Sequence, residues 1–289
     1  MQGSALLMLL ESSLYALAVD QAGAGSNPWL IAFAVVMAAL AAFAIWLVAT
    51  GDSGPDGVLL RSSRLAMAGL YAEAEKGYRK IMADDARLTP ELRARLLVSL
   101  GETLMNMDRF DESRQYLEAA LLMDDPKGEC RGSLADLIVL RGGDPRRALN
   151  LAEEAVEAGK EGLGDPASGD GTGERFAGVV RAGQWARRAW VLALLGRQSD
   201  SQESIDFALK LVAPALGATA PIVSYKVPAT TAASLCLAGV HWRCGEALLA
   251  AEQTDAAREH FRIAGELDPQ GKCGARSRAR LEHLGAPVG

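Results

Sequence analysis

Residues 257–269 read AREHFRIAGELDP. Ala257, Phe261, Ala264 and Leu267 recur at steps of three and four, which places them on one face of a helix. Asp268-Pro269 closes the stretch, because the residue before a proline is steered away from helical backbone. Two of the four inner positions are alanine, so whatever packs on this face comes close. The preceding apolar stretch, with Gly245 and Leu248, supplies such a partner helix.

The same arrangement recurs upstream. In the unit from Thr89 to Asp125, Thr89 is placed to cap a helix with Pro90 at its first position. Leu92, Leu96, Leu100, Leu104 and Met107 form one apolar face, and Asp108-Arg109 marks a turn. Phe110, Ser113, Leu117, Ala120 and Leu121 make the inner side of a second helix, with small Ser113 and Ala120 allowing close packing. A further unit carries Gly143, Asp144, Pro145, Ala148 and Ala155, with Asp144 as the cap, and a first one carries Gly69, Tyr71, Ala74 and Tyr78. The fourth has Trp185, Ala189, Trp190, Ala193 and Gly196 in its first helix and Ser204, Phe207 and Ala208 in its second.

These units resemble the tetratricopeptide repeat, a helix–turn–helix of 34 residues. Leu100, Gly101, Leu104, Phe110, Ser113, Leu117 and Ala120 follow the family's alternation of large and small residues, and AREHFRIAGELDP is the strongest match. The resemblance covers residues 58–270 with two departures, at 159–173 and 213–229. There the interval between the small positions Ala148, Ser204 and Ala257 exceeds the family period by about twenty residues. A capping helix is expected at Ala275–Leu284, since a repeat array needs a polar end. The resemblance implies an all-α, right-handed solenoid of five helix pairs, with a concave surface lined by first helices that binds a peptide or a helix of another protein. In the second unit that surface presents Arg95, Ser99 and Glu102 as candidate partner-binding residues.

A different pattern precedes the repeats. Residues 29–49, WLIAFAVVMAALAAFAIWLVA, carry no charge. At helical rise they extend about 31 Å, matching a hydrocarbon core of about 30 Å. Ten Leu, Ile, Val and Phe residues favour insertion by about 3 to 6 kcal/mol in sum. Trp29 and Trp46 stand near its ends, where indole rings prefer to sit. Residues 1–28 hold no Lys or Arg, whereas Arg61, Arg64, Lys76, Arg79 and Lys80 follow the span. The positive-inside rule then places everything after it in the cytoplasm. Ala5–Val19 is apolar, contains Glu11 and lacks the basic start of a signal peptide, so it reads as an interfacial helix. The expected organisation is an N-terminal segment (1–28), a transmembrane helix (29–49) and a linker (50–57). Repeats follow at 58–158, then a Gly-rich linker (159–178), repeats at 179–270, and a capping helix with tail (271–289).

The chain of 289 residues has a net charge of -6, which gives no electrostatic case for nucleic acid as a partner. None of its four cysteines forms a CxxC pair, and Cys236 and Cys244 lie about 12 Å apart along a helix, too far for a disulfide. Free thiols are expected. KEGLGDPASGDGTGER lacks the ending of a phosphate loop and reads as a linker. His241 and Cys244 share a helix face but are too few for a structural zinc site. Glu153, Glu154 and Glu157 read as a solvated face. Arg181, Arg187, Arg188 and Arg197, and again Lys272, Arg276, Arg278 and Arg280, form basic clusters suited to acidic lipid, an acidic peptide or simple solubility. No Ser-His-Asp or HExxH constellation appears, and no cofactor or metal is expected. The functional expectation is a non-catalytic, membrane-anchored interaction scaffold or assembly factor. An accessory subunit held in a larger complex by its span is the alternative, and an enzyme on a repeat frame comes third.

Overall fold

The computed structural model describes residues 54–83, 88–123, 128–162, 172–217 and 232–285. The chain divides into two compact units, Met1–Val58 and Leu59–Gly289. All described secondary structure is helical: α1 Pro55–Met67, α2 Tyr71–Met82, α3 Pro90–Asn106, α4 Phe110–Leu121, α5 Glu129–Leu140, α6 Pro145–Gly162, α7 Thr172–Leu194, α8 Gln198–Gly217, α9 Ala232–Ala250, α10 Thr254–Leu267 and α11 Lys272–His283. Among the described residues, no helix is long and apolar enough to cross a membrane. The expected span at 29–49 and the segment before it lie outside them.

Five odd-numbered helices turn into their even-numbered partners by the same backbone device. Two residues beyond the end of α1, α3, α5, α7 and α9, the chain enters the left-handed region at Gly69, Asp108, Gly142, Gly196 and Glu252. The next backbone N–H then donates to the carbonyl five residues back. The bonds are Leu70 to Leu65, Arg109 to Leu104, Gly143 to Ile138, Arg197 to Leu192 and Gln253 to Leu248, all 2.8 to 2.9 Å. This is the Schellman termination, which satisfies carbonyls that a helix end leaves orphaned. Asp108 and Glu252 adopt this conformation without being glycine, at some cost in strain.

Helix starts follow the sequence closely. Thr89 Oγ1 accepts from Leu92 N at 3.2 Å with Pro90 at the first position of α3. Asp144 Oδ1 accepts from Arg146 N at 2.9 Å where α6 begins with Pro145. α6 and α7 reach into the expected Gly-rich linker from both sides, to Gly162 and from Thr172.

In the second and fifth pairs, glycine on the first helix admits a large side chain from the second. A Cβ at Gly101 would stand 2.7 Å from Leu117, and one at Gly245 would stand 2.7 Å from the Phe261 ring. Twelve residues after such a position comes a small residue. Ser113 Oγ donates to Gly101 O at 2.7 Å, and Ser201 Oγ donates to Ala189 O at 2.9 Å. In the fourth unit the residue corresponding to Ser113 is therefore Ser201, three before Ser204. Ser204 bonds instead to Asp200 O, one turn back in its own helix.

The last helices return to the first. Lys272 N donates to Tyr71 Oη at 3.1 Å, and Lys272 Nζ pairs with Asp108 at 2.9 Å. The α1–α2 turn at Gly69 abuts Gln270 O between α10 and α11. The array so closes on itself.

Three substitutions in the final pair test this packing. Gly245→Ala is expected to destabilise by about 1 to 3 kcal/mol, because its methyl meets the buried Phe261 ring. Gly265→Ala, in the same pair with nothing within 4 Å, is expected to stabilise by about 0.5 to 1 kcal/mol. Glu252→Gly is expected to stabilise, by relieving the left-handed backbone. Thermal unfolding in detergent reads all three, and a neutral Gly245→Ala contradicts the contact.

Candidate functional site: a central polar cavity

Closure leaves a cavity of about 440 Å³. All six odd-numbered helices line it, together with Tyr71 and Tyr78 of α2. Its wall carries charge where the centre of a helical protein is ordinarily apolar.

Asp136 is the deepest charged group, 2% exposed. It stands in LADLIVL, an otherwise apolar run of α5. Arg187 of α7 grips it with two bonds, Nε to Oδ1 at 2.9 Å and Nη2 to Oδ2 at 3.0 Å. Arg243 of α9 adds Nη2 to Oδ2 at 2.5 Å and Nε at 3.2 Å. Burial pushes the Asp136 carboxyl toward higher pKa, but the two guanidiniums outweigh it and hold the group well below the usual carboxylate range. Arg187 belongs to the cluster expected to face lipid, peptide or solvent; it is instead 8% exposed and committed to Asp136. Arg188 and Arg197 of that cluster pair locally, with Glu153 and Asp200.

Glu102 sits on the wall one helix away. Ser133 Oγ donates to its Oε1 at 2.6 Å. Burial raises the Glu102 pKa, opposed by the Ser133 hydrogen bond and the charges of Arg187 and Arg243. Ser99 lines the same wall. Arg95 is exposed and lies outside the lining. The structure therefore brings Ser99 and Glu102 together and separates Arg95 from them.

The cysteines are free. Burial pushes Cys236 and Cys244 up to about 12 and Cys273 to about 11, so these thiols stay protonated at neutral pH and are poor nucleophiles. Outside the cavity lining, His241 of α9 and His260 of α10 face each other, with Nδ1 atoms 3.1 Å apart. Burial, with the neighbouring His260 in second place, lowers His241 to about 4, while Glu259 acts the other way. Burial lowers His260 as well. Among the described residues no group of three or more His, Cys, Asp or Glu is placed to hold a metal ion. Glu153, Glu154 and Glu157 are exposed, as a solvated face requires.

The sequence reading missed the Asp136–Arg187–Arg243 cluster. An acid inside LADLIVL was the available signal; nothing local named its partners, 51 and 107 residues away. Comparison with protein-family models and with curated proteins found no match to this chain.

Two measurements test the electrostatics. Asp136→Asn strands two buried guanidiniums and is expected to destabilise by about 3 to 5 kcal/mol. The triple change Asp136→Leu, Arg187→Met, Arg243→Met is expected to recover most of that loss in thermal unfolding. For His241, the folded pKa lies below the unfolded value near 6.5, so the unfolded chain binds more protons between these values. Stability from this group is full above pH 6.5 and is lost as pH falls toward 4. Glu102, with its pKa raised, works in the opposite direction. The difference between wild type and His241→Phe isolates the histidine: the variant is expected to lose less stability between pH 6.5 and 4. Parallel curves contradict this assignment.

Proposed function

We propose that the chain is a non-catalytic, membrane-anchored helical-repeat binding protein, a right-handed solenoid of the tetratricopeptide type. Five helix pairs with one turn geometry support the repeat reading. So do ion pairs separated by 34 residues, Glu75 with Arg109 and Glu246 with Arg280. The apolar segment 29–49 supports the anchor, and the basic residues after it support a cytoplasmic array.

The observation that carries the binding role is the cavity, where all six odd-numbered helices direct charged, polar and apolar side chains at one space of about 440 Å³. That volume lies within the range of pockets that hold small molecules. It admits a short segment of a protein partner, whereas the sequence alone suggested a long open groove. Buried, bonded charges and protonated thiols describe a preorganised recognition surface without a nucleophile and base in register.

Full-length protein in mild detergent, with a photo-crosslinking residue at Ser99, tests the proposal. One protein partner is expected to crosslink, and Glu102→Lys is expected to abolish the adduct with circular dichroism unchanged. Arg95→Glu, outside the cavity, is expected to preserve it. Deleting residues 1–49 separates the accessory-subunit reading: a partner held by the array remains, and one held by the span is lost. An adduct indifferent to Glu102→Lys overturns the cavity as the binding site.

A further inference from the structure

The cavity is uneven in chemistry, and one end of it holds donors with nothing to receive them. Trp242 of α9 lines it at 3% exposure, and its Nε1 is a buried donor with no hydrogen-bond partner among the described residues. The Arg276 guanidinium of α11 lies over the same indole, with Cζ 5.1 Å from the ring centre. Among the described residues no carboxylate pairs with Arg276. Arg243 approaches the ring at 5.7 Å, but its nitrogens are spent on Asp136 and on Gly239 O.

The nearby acids are spent as well. Asp136 already faces two guanidiniums. Asp268 receives the backbone N–H groups of Gly271, Cys273 and Gly274 at the start of α11, at 2.8 to 3.3 Å. Over the whole lining Arg187, Arg243, Lys272 and Arg276 balance Glu102, Glu129, Asp136 and Asp268, and the two acids nearest Arg276 and Arg243 are already engaged. The groups left over at this end, the Trp242 indole N–H and the Arg276 guanidinium, are both donors. An anion meets a buried indole N–H and a guanidinium that no carboxylate pairs, two donors suited to charge-assisted hydrogen bonds.

We propose that the Trp242–Arg276 end of the cavity binds a small oxyanion, a carboxylate or phosphate group, accepting from Trp242 Nε1 and from the Arg276 guanidinium. The inference rests on the reading of the cavity as a binding site and names the chemistry of one end. Arg276 belongs to the helix that closes the array, four residues after Lys272, whose backbone N–H bonds Tyr71. An anion there bridges α9 to α11, on the C-terminal side of the seam.

Isothermal titration of full-length protein in detergent, with sodium phosphate and with sodium succinate at matched ionic strength, tests the site. Saturable one-to-one binding of at least one is expected, and the two titrations distinguish phosphate from carboxylate. Arg276→Gln and Trp242→Phe are each expected to weaken binding by about tenfold or more, the loss of one charge-assisted or buried donor. Arg262→Gln, on the exposed face of α10, serves as the charge-matched control and is expected to bind as wild type. Circular dichroism and thermal unfolding establish that each variant folds, and Trp242→Phe keeps the ring that packs on Trp190. No saturable heat from either anion, or wild-type affinity in both variants, overturns the proposal. Crosslinking of a protein partner on the same preparations is read separately, so an anion site can fail while partner capture stands, and the reverse.

Discussion

The carboxylate of Asp136 is the constraint on which the interior depends. It joins α5 to α7 and α9, bringing together residues 51 and 107 positions apart. Removing an ion from water costs several kcal/mol, and attraction to a single partner seldom returns more than that. Here the carboxylate takes bonds from two planar guanidiniums, so both oxygens are satisfied and the three helices hold one relative register. A shift of α7 or α9 by one residue would carry its arginine away from α5 and leave buried charge alone. The apolar contacts around the cluster tolerate small sliding; the ion cluster does not.

Much of the helical pattern was legible because its determinants are local. Thr89-Pro90 and Asp144-Pro145 announce helix starts, and both act as capping geometry requires. The leucine face of α3 buries Leu92, Leu96, Leu100 and Leu104. What escaped depends on contacts across the chain. Ser201 and Ser204 lie three apart on one helix face, and only the carbonyl of Ala189 decides which one plays the part of Ser113. Arg187 and Arg188 look alike in sequence, yet one faces the cavity and the other reaches Glu153 and Ser204. His260 carried no visible partner because His241 is nineteen residues away, across a turn. The shared turn geometry was hidden because three of its left-handed residues are glycine and two are acidic.

Closure of the array rests on a different class of interaction. The seam between its ends consists of one backbone donor on a tyrosine oxygen, one exposed Lys–Asp pair and the approach of Gly69 to Gln270. Exposed ion pairs contribute little, about 0 to 1 kcal/mol. The pairs themselves are held by buried contacts such as Phe261 on Gly245. Opening along the seam would break these weaker contacts and leave each helix pair intact. Access to the interior by this route requires no exposed apolar core.

The seam and the cluster together determine how selective the cavity is. Most of its charges are committed before anything enters: Asp136 to two arginines, Asp268 to the start of α11, Lys272 to Asp108. Selectivity is a difference between affinities, and it is gained as much by rejecting the wrong partner as by holding the right one. Beside Trp242 the groups without a protein acceptor, its Nε1 and the Arg276 guanidinium, are donors. Glu102 of α3 adds to the wall a carboxyl whose pKa burial raises, against the Ser133 hydrogen bond and the charges of Arg187 and Arg243. Positive charge brought to that wall would favour its ionisation, against the burial that disfavours it.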